Sequence, residues 1–172
     1  MSKLSLAMII SVMGFAQAAI PAQAAVLGPD APACRVDSGE PALLVRIDGF
    51  KARTGKLRVQ IYGSNPADFL AKGKKLKRID LPVTASGAMD VCVALPKPGN
   101  YAVAVRHDLD GNGKSGWSDG GGFSRNPQIS LFNLKPDYHK VVIAVEPRVQ
   151  PINILLNYRD GLSIGPISLA AL

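Results

Sequence analysis

The side chains of this sequence best suited to chemistry lie in one short polar segment, residues 107–122. Acidic and amide side chains alternate there, a glycine follows them, and a further Asp occupies the twelfth position. This spacing matches the calcium-loop pattern D-x-[DN]-x-[DN]-G-x5-E, with Asp in place of the final Glu. Calcium takes about six to eight oxygen atoms, which alternate side chains of a tight loop can supply together. The predicted ligands are Asp108, Asp110, Asn112, the main-chain carbonyl of Lys114, and Asp119.

The same segment admits a second interpretation, in which no metal is bound. Asp and Asn side chains accept hydrogen bonds from the backbone two residues later, so the segment also fits a series of Asx and glycine turns. The calcium pattern is incomplete as well. A strand pattern rather than a helix precedes it, Ser115 occupies a usually aliphatic position, and Asp119 is shorter than Glu. Both interpretations stay open, and we expect any calcium affinity to be weak.

No complete catalytic constellation accompanies the loop in the sequence. His107 and Asp108 lie near Ser115, Ser118 and Ser124, but the G-x-S-x-G nucleophile elbow is absent. Paired carboxylates can hydrolyse glycosidic bonds, yet aspartates in a solvated, Gly-rich turn stay too acidic to act as a general acid. We therefore expect a protein that is not an enzyme. The alternative is a carbohydrate-handling module or hydrolase that uses the same acidic loop.

Two aromatic residues flank the acidic loop. Trp117, the only Trp of the chain, and Phe123 are candidates for contact with a partner, because aromatic residues concentrate at interfaces. The competing interpretation is that both residues cover the end of the core. A walled pocket around Asp108 and Asp119 would favour the hydrolase, whereas a shallow loop would favour a binding or structural role.

The N-terminus has the three parts of a secretory signal peptide. Lys3 precedes an apolar run that ends at Phe15, and A-x-A cleavage sites end at Ala18 and Ala24. We predict a cleaved signal peptide over residues 1–24, with cleavage after Ala18 as the alternative. The apolar run is too short to span a bilayer, and no later stretch is long enough. The predicted location is therefore periplasmic or extracellular.

The charge balance restricts the classes of partner. The whole chain carries a formal net charge of +7, and removal of Lys3 with the signal peptide leaves 19 basic and 13 acidic residues, or +6. In an exported protein the available anionic surfaces are lipid headgroups and acidic polysaccharides rather than nucleic acid. We therefore expect an envelope protein or an anionic polysaccharide as the partner, and no nucleic acid.

The chain contains only two cysteines, Cys34 and Cys92. Two cysteines in an exported chain most simply form one disulfide. Cys92 lies among residues that alternate, at a position that faces away from the core side of its strand. We therefore expect the N-terminal arm to cross the outer face of that sheet in order to bring Cys34 to Cys92.

Most of the chain after residue 42 alternates between apolar and polar residues with period two, as in half-buried β-strands. Such runs cover residues 43–48, 56–61, 76–83, 89–95, 101–107, 141–145 and 152–158. One short helix is predicted over residues 64–73, where Pro66 suits the first helical position. The prediction is an all-β fold of about seven strands. It is a Greek-key β-sandwich, immunoglobulin-like or transthyretin-like, with one short helix.

The predicted organisation has four parts: the signal peptide, an extended arm over 25–40, the sandwich over 41–160, and a C-terminal tail over 161–172.

Two residues give local predictions. Pro82 places its strand at a sheet edge, because proline cannot donate to a ladder. Tyr101 follows a Pro-Gly turn and is predicted to form a tyrosine corner.

Several short motifs together resemble a bacterial family of exported proteins, the domain-of-unknown-function family numbered 2141. They are Gly55-Lys56-Leu57-Arg58-Val59, Pro98-Gly99-Asn100-Tyr101, His107-Asp108 with Asn112-Gly113-Lys114, and Gly122-Phe123-Ser124 with Asn126. The resemblance covers roughly residues 43–158. It implies a small exported β-sandwich, and it implies no known reaction and no catalytic residues.

Overall fold

The structure is a computed structural model that describes residues 25–35 and 38–167. The predicted signal peptide lies outside these residues, as does the end of the predicted tail. Within the described part of the chain, no helix is long and apolar enough to cross a membrane.

Within residues 25–35 and 38–167, eleven strands form two sheets that pack around a common core. In chain order they are β1 (Val26–Leu27), β2 (Ala42–Asp48), β3 (Lys56–Tyr62), β4 (Lys77–Pro82), β5 (Met89–Ala94), β6 (Gly99–Asp108), β7 (Gly120–Phe123), β8 (Ile143–Val145), β9 (Val149–Leu155), β10 (Asn157–Asp160) and β11 (Ser163–Pro166). The first sheet has the order β1-β5-β2-β9, and the second has β11-β10-β7-β6-β3-β4, with β8 paired to the start of β6. The predicted all-β sandwich is confirmed.

The count of about seven strands was too low. The additional strands are short, and β1, β7 and β11 have too few alternating residues for a period to show. These additional strands also change the predicted boundaries of the N-terminal arm and of the sandwich domain. β1 pairs in parallel with β5, so the N-terminal arm begins inside the first sheet. β11 pairs with β10 as a hairpin, so the sandwich continues to Pro166, beyond residue 160.

The helix predicted over residues 64–73 was too long and of the wrong type. Residues 64–73 contain only a 3-10 turn, Pro66–Asp68, which is capped by the Asn65 side chain. The chain then becomes extended at Phe69, whose ring packs edge-to-face on Tyr62, so packing rather than helix continuation decides this segment. The α-helix of the described residues is instead α1 (Tyr138–Val141), which ends on the first residue of the strand predicted over residues 141–145.

The core lies between the two sheets and follows the predicted alternation. Leu57, Val59 and Ile61 of β3 point inward, and so do Val103 and Val105 of β6, all of them almost fully buried. Burial of each such side chain contributes about 1.5–3 kcal/mol, so these rows supply much of the stability. The second sheet therefore holds β6, and the loop that follows it, on a rigid support.

Two local predictions are confirmed at the edges of this core. β4, which ends at Pro82, is an edge strand of the second sheet. The Tyr101 hydroxyl donates a hydrogen bond of 2.7 Å to the carbonyl of Lys97, which is the predicted tyrosine corner. Both features depend on neighbouring residue types, a proline within a strand and a tyrosine after a Pro-Gly turn, and could therefore be predicted from the sequence.

The two cysteines form the predicted disulfide. Cys34 and Cys92 are bonded, with their Cα atoms 5.8 Å apart and a sequence separation of 58. Cys34 belongs to a 3-10 turn, Ala31–Cys34, that packs on β5 and β2. Val91 and Val93 face the core on either side of Cys92, so the bond lies on the opposite face of the first sheet, as expected.

We expect thiol labelling of unreduced, unfolded protein to detect no free cysteine. Closure of a loop of 58 residues stabilises the fold by about 4 kcal/mol in the chain-entropy model. The paired change Cys34→Ser with Cys92→Ser should therefore lower the free energy of unfolding by roughly that amount, measured by urea denaturation. Two labelled thiols in the wild type, or equal stability of the serine variant, would contradict this expectation.

Candidate functional site

The acidic loop connects β6 to β7, which are antiparallel neighbours near the centre of the second sheet. Asp108 is the last residue of β6, and Asp119 directly precedes β7. The two ends of the loop are therefore held together by the sheet. Gly55 lies directly beneath the loop, in contact with the backbone of Asp108 and Leu109.

The structure brings three of the predicted ligands together. Asp108, Asp110 and Asp119 each place a carboxylate oxygen within 4.8 Å of the others. Asp108 is the buried member, with only 2% of its side chain exposed. Its Oδ2 accepts a hydrogen bond from the N–H of Gly113, whereas its Oδ1 is buried and has no hydrogen-bond partner among the described residues. Nε of Arg106, whose terminal nitrogen is paired with Asp108, is also buried without a partner among these residues.

The predicted Asx turns are also present, and they hold the carboxylates in place. Asp110 accepts hydrogen bonds from the backbone N–H and the side-chain amide of Asn112, at 3.1 and 2.6 Å. Asn112 in turn accepts one from the N–H of Lys114, at 2.7 Å. The two oxygens of Asp119 accept from the N–H groups of Leu109 and Gly116. The two interpretations of the sequence are therefore compatible, since the same turns orient the acidic groups.

Arg106 is a residue of this site that the sequence argument missed. Its guanidinium donates to the Asp108 carboxylate at 3.3 Å, to the Gly113 carbonyl at 3.0 Å and to the Ser115 hydroxyl at 2.8 Å. It therefore neutralises part of the negative charge and ties both halves of the loop to β6. Period two is the signal that could have revealed it, because residues two apart on a strand share a face.

His107 is separated from the acidic loop, although it is adjacent to Asp108 in sequence. Consecutive strand residues point to opposite faces, so His107 lies in the core while Asp108 faces the loop. Nε2 of the ring donates to the Thr54 carbonyl at 2.8 Å, and Nδ1 accepts from the Tyr158 hydroxyl at 2.6 Å. Burial raises the pKa of Tyr158 to about 12, which keeps this hydroxyl a donor. The network joins β6 to β10 and to the turn before β3.

The structure places the two flanking aromatic residues differently. Trp117 is 75% exposed, and the Arg159 guanidinium carbon lies 4.2 Å from the centroid of its ring. Phe123 is only 9% exposed and packs in a small cluster with Tyr62 and Tyr138. The candidate role of Phe123 in partner contact is therefore replaced by a packing role, because its strand directs it beneath neighbouring side chains.

A groove of about 300 Å³ lies beside the acidic loop, on the outer face of the second sheet. Trp117 and Asp119 of the loop form one side of it, and Ile129 and Leu134 form another. Asp108 is not among the residues that line it. Of the two carboxylates that could form a catalytic pair, only Asp119 therefore faces this groove.

Comparison with known proteins places the chain in a family but adds no reaction. A family model described as an uncharacterized protein conserved in bacteria, DUF2141, matches residues 45–153. The resemblance inferred from the sequence motifs is thereby confirmed. No curated protein and no solved structure matches the chain.

Proposed function

Since this chain belongs to the uncharacterised bacterial family DUF2141, which brings no assigned reaction, we propose its function from the site itself. The protein is an exported, non-enzymatic β-sandwich of the cell envelope. Its loop between β6 and β7 binds Ca²⁺, and the adjoining surface contacts an envelope component. The predicted signal peptide and the Cys34–Cys92 bond support the export, since disulfides persist in oxidising compartments.

One observation carries the calcium proposal, the unsatisfied Oδ1 of Asp108. A buried polar atom without a partner costs about 1–3 kcal/mol, and such atoms are rare in folded proteins. Here the atom belongs to a group of three carboxylates whose oxygens converge within 4.8 Å. A hard, oxygen-binding cation would satisfy Asp108 and relieve the repulsion among the three charges at once. Arg106 bonds only to Oδ2 and leaves this requirement in place.

The same geometry makes the affinity weak. Asp119 is a short side chain with both oxygens already bonded to backbone N–H groups. Arg106 places a positive charge 3.3 Å from the Asp108 carboxylate. Neither end of the loop is fixed by a helix. We propose a Kd of about 10⁻⁴–10⁻³ M, the range of extracellular calcium modules.

Calcium should raise the melting temperature by a few degrees. At about 1 mM calcium and a Kd of about 0.1 mM, linkage adds about 1.4 kcal/mol to the free energy of unfolding. For a domain of this size the expected shift is roughly 3–6 °C, measured by differential scanning calorimetry with calcium or chelator. Magnesium should produce a smaller shift, because it gives up its water shell reluctantly.

Isosteric variants identify the ligands in the same experiment. Asp108→Asn with Asp110→Asn removes two charges but keeps the acceptor oxygens of the turns, and it should abolish the calcium shift. Arg106→Gln should enlarge the shift, because it removes the competing cation. Glu40→Gln, at an exposed carboxylate outside the loop, is the control for loss of a charge and should behave as wild type. Identical wild-type melts up to about 5 mM calcium, well above the expected Kd, would reject the site.

The carbohydrate-handling alternative receives less support from the arrangement of the carboxylates. Glycosidic hydrolysis requires two carboxyl groups on either side of the scissile bond. Within the described residues, Asp119 lines the groove but Asp108 does not, and Asp119 has both oxygens engaged by backbone donors. The binding function is therefore the one that the loop geometry favours.

A further inference from the structure

We infer that the groove beside the acidic loop binds a small organic anion with an apolar body, of the class of medium-chain carboxylates. This ligand site goes beyond the calcium proposal and does not depend on it. The groove lies on the outer face of the second sheet, across β6, β7, β10 and β11, and is bounded by the acidic loop and by the segment before α1.

The lining of the groove is mostly apolar. Its apolar lining residues come from separate parts of the chain and include Leu70, Trp117, Phe123, Ile129, Leu134 and Ile164. Trp117 and Leu134 keep 75% and 52% of their surface exposed, so the groove presents apolar area to water that a ligand could cover. A mainly apolar cleft with a few oriented polar groups is the usual composition of a small-molecule site.

Arg159 is the polar group that selects an anion. Its Nε donates to the Gly161 carbonyl, and its guanidinium lies 4.2 Å from the centroid of the Trp117 ring. It forms no ion pair with any residue that the structure describes. The guanidinium is thus held by stacking and by one hydrogen bond, with its terminal N–H groups left to bind a carboxylate.

The charges around the groove also favour an anion. Arg106 and Arg159 are the cationic groups in the lining, and Arg106 is already paired with Asp108, so Arg159 is the cation in the lining that remains for an anion. Both oxygens of Asp119 accept hydrogen bonds from backbone N–H groups, which offset part of its negative charge. The Arg159 guanidinium would therefore attract an anion that binds next to it in the groove.

The floor of the groove contains a glycine that packing does not require. Gly120 and Gly122 face the core, where a Cβ would lie 2.4 Å from Tyr158 and 2.6 Å from Ile154. A Cβ on Gly121 would meet only the Val105 carbonyl, at 3.8 Å, and its backbone is not in the left-handed region. An L side chain fits at this position without strain. The absence of one keeps the groove open above the sheet.

The size of the groove restricts the apolar body. At about 300 Å³ it is at the lower end of ligand pockets, which measure roughly 300–1,000 Å³. It suits a single short chain rather than a two-chain lipid. The inferred occupant is therefore a soluble carboxylate with one alkyl chain, and not a membrane surface.

Trp117 provides a direct reporter, because it is the only Trp of the chain. Decanoate added in the presence of EDTA should change its fluorescence saturably, with a Kd of about 0.1–1 mM for a ligand of this size. Decanol, which has the same chain without the charge, should bind at least tenfold more weakly, and decyltrimethylammonium should show no saturation. The chelator separates this result from the calcium site, so either proposal can fail alone.

Two variants locate the binding, and calorimetric titration measures it without the fluorophore. Gly121→Leu should abolish decanoate binding by filling the groove, and Arg159→Gln should weaken it at least tenfold. Arg53→Gln is the matched control, because Arg53 also lies over an aromatic ring, that of Phe50. Arg53 and Phe50 do not line the groove, so this variant should bind decanoate as wild type does. Binding unaffected by Gly121→Leu, no saturable decanoate signal, or equal affinity for the cationic analogue would each overturn the inference.

Discussion

Val103→Asp should leave the protein unfolded at room temperature. Val103 is fully buried in β6, opposite Ile61 of β3, in the middle of the core. An aspartate there must either bury a charge or take up a proton, and either outcome costs several kcal/mol. That cost is comparable to the whole stability of a typical domain, about 5–15 kcal/mol.

Circular dichroism and a thermal melt measure this effect directly. Asn100→Asp is the control on the same strand, because Asn100 is exposed and the change adds the same charge at an exposed position. The control should melt within a few degrees of wild type, since exposed substitutions usually change stability by about 0.5 kcal/mol or less. A Val103→Asp protein with a wild-type melting temperature would show that the inward row of β6 is assigned to the wrong face.

Gly55→Ala should destabilise the protein by roughly 3 kcal/mol or more, and it should disturb the acidic loop. Gly55 has a φ of +73°, and an added Cβ would lie 2.0 Å from the Asp108 carbonyl oxygen and 2.6 Å from that of Leu109. Both contacts are to backbone, so no side-chain rotation can relieve them. The loop must move away from β3 to accommodate the methyl group, and the calcium-dependent shift should be lost with it.

Gly87→Ala separates the steric contact from the left-handed backbone conformation as causes of the lost stability. Gly87 has nearly the same φ, +72°, but nothing lies within 4 Å of an added Cβ. Its replacement should therefore cost only the left-handed backbone penalty of about 1–2 kcal/mol. Urea denaturation of both variants gives the difference as the steric term. Equal losses would mean that the contact between Gly55 and the loop is not tight in solution.

Several features of this protein could be predicted from the sequence because they depend on local chemistry. Period-two alternation placed the inward rows of β3 and β6, and the two cysteines defined the disulfide. The Pro-Gly turn before Tyr101 identified the tyrosine corner. The spacing of Asp108 and Asp119 indicated the acidic loop, whose ends are adjacent in the structure. In each case the residues that determine the feature either follow a recognisable spacing in the sequence or have one possible partner.

Other features depended on the tertiary structure, because residues distant in sequence create them. The short strands β1 and β11 exist only through pairing with β5 and β10, and neither has a period of its own. The parallel pairing of β2 with β9 joins segments about a hundred residues apart, which no local pattern encodes.

The two candidate sites were likewise determined partly by the sequence and partly by the tertiary structure. The sequence determined which side chains the acidic loop carries, but burial decided that Asp108 has an unsatisfied oxygen and that Arg106 pairs with the other. The groove combines Trp117, Leu134 and Arg159 from three separate segments. Its existence follows from the way the sheet brings those segments together, because a cavity is a property of packing and has no signature in the order of residues.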